Sequence, residues 1–216
     1  FYYPTRGIGM LTDALAQGFG RDAIRTGVEV RRLCHDHKRI RAIVVEGPGH
    51  VAVDEVASTL PVERLVAMMD PPPPQGILDL ARKLTHRDLI LVALFLRRES
   101  VTSAATVYFP EPSFAFTRVT EPRNRSVAMS PPGHTSLVAE IPCDSRERFW
   151  SADDADLVKL VMRPLEQIGW VRGGELLGSQ VVRIRRAYPV LSLDSESSLG
   201  ALRSYLGGFE NLALAG

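Results

Sequence analysis

An α+β fold built on an antiparallel sheet with separate helices is what this sequence predicts, and two observations carry that expectation. Short β-type stretches such as ATVYFP, TSLVAEIPC and SQVVRIRRAYPV alternate apolar and polar residues or end in turn residues, the pattern of a sheet with one buried face. Helical periodicity is confined to a few isolated stretches, whereas a series of βαβ units would alternate helix and strand throughout.

The elements follow in chain order. Ile8, Leu11, Leu15 and Phe19 recur at near-helical spacing until Gly18 and Gly20 end the pattern, so a helix is expected from Gly9 to about Gln17. VEVRRLC and RIRAIVVEG flank the turn sequence HDHK and read as an antiparallel hairpin. HVAVDEV, after Gly47-Pro48-Gly49, reads as a third strand. EVASTLP is a buried strand end running into a loop. The four prolines Pro71 to Pro74 exclude helix and central strand and form a rigid connector, the best place for a subdomain crossing.

Beyond the prolines, QGILDLARKLTH sets Ile77, Leu78, Ala81 and Leu84 on one helical face. LILVALFL, Leu89 to Leu96, is a buried strand, far short of the roughly 20 apolar residues that span a bilayer. ATVYFP, FAFTRV, RSVAMS, TSLVAEIPC and SQVVRIRRAYPV are further strands. Between the last two, Ser151 and Asp154 suit a capping box for a helix with the stripe Leu157, Leu160, Val161, Leu165 and Ile168, kinked at Pro164. The chain closes with a helix in SSLGALRSYLGG and an apolar strand in NLALAG. That terminal strand needs sheet neighbours, and residue 1 is Phe; together they suggest a piece of a larger protein.

Composition narrows the function. With 26 basic and 25 acidic residues the net charge is +1, so no global field points to nucleic acid or anionic lipid. Arginines gather in RRL, RRES, EPRNRS and RIRRAY, but each cluster alternates with apolar residues, as on solvated strand faces, with one or two placed to line an anionic ligand site. Cys34 and Cys143 form no CxxC, and no basic-then-apolar leader opens the chain, so a reducing, cytoplasmic setting is expected.

Two glycine-rich stretches raise the question of a phosphate loop. Gly7-Ile8-Gly9-Met10-Leu11-Thr12 has Thr in the third slot and only FYYPTR before it. Gly18-Phe19-Gly20-Arg21-Asp22-Ala23 has the spacing but lies at a helix end. A dinucleotide fingerprint needs a buried strand immediately before the loop, so both read as helix start and helix stop. His35 and His37 lack a third ligand nearby and read as a solvated turn; no Ser-His-Asp or GxSxG pattern supports hydrolase chemistry.

Several segments, in order, resemble one family. YYPTRGIGMLTDALA, then GVEVRRL with its hairpin and DEVASTLPVERLV, are similar to flavin-dependent oxidoreductases of the protoporphyrinogen oxidase, amine oxidase and phytoene desaturase group. VYFPEPSFAFTRVTEPRNRSVAMSPPGHTSLVAEIPC resembles the substrate-domain sheet of a subgroup close to protoporphyrinogen oxidase and UDP-galactopyranose mutase. AYPV and ENLALAG look like that subgroup's approach to its last flavin motif. Arg6 stands where the family usually has glycine, and the family's GxGxxG and its final Gly-Arg-rich motif are absent from this sequence.

The resemblance implies partial elements of an FAD-binding α/β domain in residues 1–70, a substrate-binding domain in 71–188, and a return segment to the FAD-binding domain in 189–216. It implies FAD as cofactor of the full-length protein, bound weakly or not at all by this piece, which alone would be inactive. The implied reaction is hydride transfer from a small-molecule substrate to flavin, this portion building the wall over the reacting face. The expected partners are that substrate and the missing FAD-binding segments, with no nucleic acid and no transmembrane segment. Val30 is implied to hold the adenine through backbone groups, the alternative being an ordinary strand valine. Thr59, Leu60 and Pro61 match the loop passing close to the dinucleotide. Tyr108, Phe116, Arg118 and Tyr188 fall on the substrate-side strands. Arg118 suits a carboxylate or phosphate, or is a surface strand arginine; Tyr188 flanks the flavin or belongs to the core. Two rivals stand beside this reading: a mutase-like flavoenzyme, favoured if Arg118 gathers with Arg183 or Arg185, and a non-catalytic binding module.

Overall fold

The structure, a computed structural model, describes residues 2–47 and 49–215; Phe1 and the Pro48 of the expected third-strand turn lie outside them. In chain order its elements are α1 (Gly9–Phe19), β1 (Val30–Asp36), β2 (Arg39–Val45), β3 (Gly49–Ala52), β4 (Val56–Ser58), α2 (Val62–Ala67), β5 (Met69–Asp70), α3 (Gln75–Lys83) and β6 (His86–Leu96). Then come β7 (Thr106–Tyr108), β8 (Arg118–Thr120), β9 (Thr135–Cys143), α4 (Asp154–Gln167), β10 (Leu176–Pro189), α5 (Ser195–Leu206) and β11 (Leu212–Leu214). They divide into two units, one of Phe1–Ala23 with Arg87–Tyr188, the other of Ile24–His86 with Pro189–Gly216.

In the first unit, alternation builds a five-stranded sheet of order β10-β6-β9-β8-β7. Strand β9 buries Thr135, Leu137, Ala139, Ile141 and Cys143 and leaves every second residue half-exposed, as a period of two requires. Antiparallel β6 sets Leu94 opposite Leu137 and Ile90 opposite Ile141. Directly opposed residues share a face, so these side chains form one apolar layer. Helix α4 contributes Leu157, Val161 and Leu165, spaced by one turn each, to the same core.

Local polar groups decide where that sheet stops. RSVAMS is not the expected strand: Arg125 caps the short 3-10 turn Pro122–Asn124, and Val127–Met129 forms a second one. The Glu121 carboxylate, 1% exposed, accepts from the Val101 and Thr102 amides, the Asn124 side-chain amide and the Thr135 hydroxyl. Within RSVAMS itself the Arg125 and Ser126 amides donate to the Pro122 carbonyl, Met129 N to Ser126 O and Ser130 N to Val127 O, which satisfies locally what a ladder would otherwise satisfy. The capping box is likewise not formed: Asp153 is the N-cap of α4, without a side-chain cap bond. Of FAFTRV only Arg118 and Val119 are strand, as the start of β8.

The second unit holds the predicted hairpin, with β2 antiparallel to both β1 and β3, and β5 parallel to β1. VERLVAMM, for which no helix was expected, forms α2 and buries Val62, Leu65 and Val66. These join Leu33 and Ile40 of the hairpin and Leu202 and Leu206 of α5 in one core. Strand β11 finds its neighbour in β4, in parallel register from Leu212 opposite Val56 to Leu214 opposite Ser58. Asn211 fixes that return: its side chain accepts from the Ile40 amide and donates to the Ile40 and Asp54 carbonyls.

Candidate functional site

Register creates a polar row on the second face of the five-stranded sheet. Tyr108 lies opposite Arg118, Arg118 opposite Glu140, and Glu140 opposite Leu91, so one row crosses β7, β8, β9 and β6. The next row is Thr106, Thr120, Val138 and Ala93. Farther along, Phe95 is 41% exposed and faces Gly178 of β10, which puts Val182 and Ile184, 42% and 37% exposed, on this open side by alternation.

Within the first row the polar groups satisfy one another. The Arg118 Nε donates to Glu140 Oε1 at 2.8 Å and its Nη2 to the Tyr188 hydroxyl at 3.1 Å. The Tyr188 hydroxyl donates to Glu140 Oε2 at 3.2 Å. Tyr108 stands directly opposite Arg118 in the register of β7 and β8. The Glu140 carboxylate first, and the Tyr108 phenol second, raise the Arg118 pKa further above its already high value. Burial first, and the Glu140 carboxylate second, push the Tyr188 phenol above its ordinary pKa. The result is a cation and an anion that cancel, bracketed by two phenols, beside apolar ground.

Three of the four expected substrate-side residues therefore come together. Phe116 does not join them: it is fully buried, ringed by Phe109 and Phe114 with centroids 5.1 and 5.3 Å away. Glu140 was missed by the sequence reading. The signal available for it was an acidic residue on the half-exposed phase of an otherwise apolar strand. Arg183 donates to the Trp150 and Ala152 carbonyls and to Asp154. Arg185 donates to the Ser145 hydroxyl and lies over the Trp150 ring at 5.3 Å. Both are engaged away from Arg118, so the three guanidiniums do not assemble an anion site among the described residues.

In the second unit, Val30, Thr59 and Leu60 line one cleft of about 380 Å³, together with Val28, Leu33 and Leu65. Away from β2, β1 is paired with β5 only at Leu33 and Cys34. Among the described residues the Val30 end of the strand thus has no strand neighbour on that side, and Val30 lines an apolar cleft. Such a cleft fits a flat heteroaromatic ring that pairs through main-chain groups. Pro61 is the N-cap of α2 and lines a different cleft.

The glycines of the first stretch start a helix: Met10 N bonds Gly7 O at 3.2 Å, and Gly7 holds a left-handed φ of 97°. Gly20, φ 84°, caps the other end. Ile8, Leu11, Leu15 and Phe19 are all exposed. His35 sits 2.9 Å from the Pro71 carbonyl and edge-on to Phe209. Among the described residues no group of three or more His, Cys, Asp or Glu is placed to hold a metal, and no helix is long and apolar enough to cross a membrane.

Comparison with known proteins bears on both places. The family described as flavin containing amine oxidoreductase matches residues 2–177. No curated protein matches the chain. Among solved structures, a reduced UDP-galactopyranose mutase is 20% identical with TM-score 0.82, over 98% of this chain and 46% of that one. A protein from Exiguobacterium sp. 255-15, provisionally assigned as a protoporphyrinogen oxidase, is 18% identical with TM-score 0.76, over 97% and 46%. A putrescine oxidase bound to putrescine is 15% identical with TM-score 0.70, over 96% and 46%. The chain spans about half the length of these structures, and at such identities the likeness is one of fold.

Proposed function

Because the chain belongs to the flavin-containing amine oxidoreductase family, we propose that it is the substrate-binding portion of an FAD-dependent oxidoreductase, with part of the FAD-binding domain. The Tyr108–Arg118–Glu140–Tyr188 row supports this reading best. It offers two hydroxyls and a neutralised ion pair next to the half-buried Leu91 and Val138, a surface suited to orienting an uncharged, partly apolar substrate. An anionic substrate would have to displace Glu140 from Arg118, at the expense of a charge-assisted bond. The separation of Arg118 from Arg183 and Arg185 favours the oxidoreductase over the sugar-nucleotide mutase.

The chemistry that FAD supplies when bound is acceptance of a hydride from the substrate. This chain's contribution is positional. The backbone at Val30 and the cleft walls at Thr59 and Leu60 would hold the adenine. Pro61, at the start of α2, would continue that loop. Arg118 and Glu140 fix the Tyr188 hydroxyl toward the substrate. Phe116, from inside the core, supports the strand that carries Arg118.

The test is the full-length protein that contains this chain, purified and examined by visible absorption. The two bands of an oxidised flavin are expected, and their absence would falsify both the oxidoreductase and the mutase reading in favour of a binding module. Given the bands, Arg118→Met should slow reduction of the flavin by substrate about tenfold or more, as loss of one charge-assisted positioning contact does.

A further inference from the structure

A second cleft, of about 610 Å³, lies wholly within the unit of Ile24–His86 and Pro189–Gly216 and has no part in the proposal above beyond Pro61 at its edge. Beside it the segments just before β6 and just after β10 are tied by the Val190 amide donating to the Thr85 carbonyl at 2.9 Å. Its walls are Val62, Leu84, Val190 and Leu199, and its volume is that of a small-molecule site.

Three features say what would occupy it. First, the inner polar groups are already engaged: His86 Nδ1 stands 3.6 Å from Glu63 Oε1, both side chains about 15% exposed or less. Second, Leu191 and Leu193 line the cleft yet are 83% and 103% exposed, an apolar surface left in water. Third, Arg203 of α5 lines the cleft with its side chain exposed, and among the described residues its guanidinium makes no hydrogen bond or ion pair. Glu196, the other charge on this helix in the cleft, is seven residues away, about 10 Å along the axis. The Arg203 end is therefore the cationic end, and the ground between is apolar.

We propose that this cleft binds an amphipathic organic anion: a carboxylate head on Arg203, bidentate as guanidinium geometry allows, and an apolar body along Leu84, Val62 and Leu199, capped by Leu191 and Leu193. The site is independent of the Tyr108–Arg118–Glu140–Tyr188 row, and its test does not read flavin chemistry.

Titration calorimetry of the full-length protein with decanoate, well below micelle-forming concentration, should show one saturable site. Arg203→Gln should weaken it about tenfold, the equivalent of one charge-assisted bond. Leu191→Ser/Leu193→Ser should weaken it severalfold; all three positions are exposed, so the variants are expected to fold, which circular dichroism checks. Decanol and decyltrimethylammonium should bind at least tenfold more weakly than decanoate. Four results would each overturn the proposal: no saturable decanoate binding, equal affinity for the alcohol, an Arg203→Gln variant that binds as well as the parent, or displacement of decanoate by added FAD, which would make the cleft part of the cofactor site. Binding to anionic lipid vesicles without binding of monomeric decanoate would also overturn it, in favour of a lipid-surface contact.

Discussion

The two faces of the five-stranded sheet are written by the same strands and do opposite work. On the covered face, Ile90, Val92, Leu94, Leu137, Ala139 and Ile141 lie at 0 or 1% exposure in the core that α4 joins. On the other, the residues interleaved with them include Leu91, Glu140 and Val138, all partly open, and Phe95, which is exposed. Both faces also carry a carboxylate. Asp88, 7% exposed beside buried Cys143, accepts from the Arg186 and Ser145 amides. Glu140 pairs with a side-chain cation and a phenol instead. Backbone partners make Asp88 a staple of the fold, whereas side-chain partners that a ligand could reach make Glu140 part of a site.

The strongest way to break that comparison is to truncate neighbours on opposite faces. Leu137→Ala should cost about 2–5 kcal/mol, lost burial plus a cavity, while Val138→Ala should cost under about 1 kcal/mol. Denaturant unfolding measures both, and similar costs would mean the open face is as sealed as the other.

A middle-sized effect sharpens the contrast between the carboxylates. Burial alone would raise the Asp88 pKa, but the Arg186 amide and the amide and hydroxyl of Ser145 hold it below its ordinary value. A depressed carboxylate adds stability that is present above its unfolded pKa and lost as pH falls through the folded one. Asp88→Asn should therefore cost about 1–3 kcal/mol at neutral pH and flatten the decline of stability below about pH 4. If the variant keeps the parent's acid limb, Asp88 is not the staple described.

The smallest effect belongs to the open face. With its pKa raised, the Tyr188 phenol should ionise later than a free tyrosine when absorbance is followed through alkaline pH. The sign is that of a proton held more tightly in the fold: stability is unaffected below about pH 10 and falls as pH rises through the folded value. Glu140→Gln removes a negative neighbour and should move the midpoint down, at a neutral-pH cost of about 1 kcal/mol for the weakened pairing with Arg118. An unmoved midpoint would dissociate Tyr188 from Glu140.

Where pattern and burial coincide, the sequence was legible. TSLVAEIPC became β9 with its alternation intact, LILVALFL fell within β6, and the HDHK turn joined β1 to β2. RSVAMS misled because its amides close short turns onto the Pro122, Ser126 and Val127 carbonyls, and VERLVAMM hid a six-residue helix of fewer than two turns shortly before the prolines. Tyr108, Arg118 and Tyr188 could be chosen as candidates, but they lie 10 and 70 residues apart, and nothing local says that they meet.

The sequence by itself determined the fold class, the hairpin, the strands with one buried face and the family, because these depend on periodicity and on residue order within short segments. Only the tertiary structure decided that Glu140 neutralises Arg118, that Arg183 and Arg185 turn to Trp150, and that Phe116 faces inward. Those outcomes rest on strand register and on competition between partners distant in the chain. Register sets which side chains become neighbours, and a one-residue slip would have put Glu140 on the buried face.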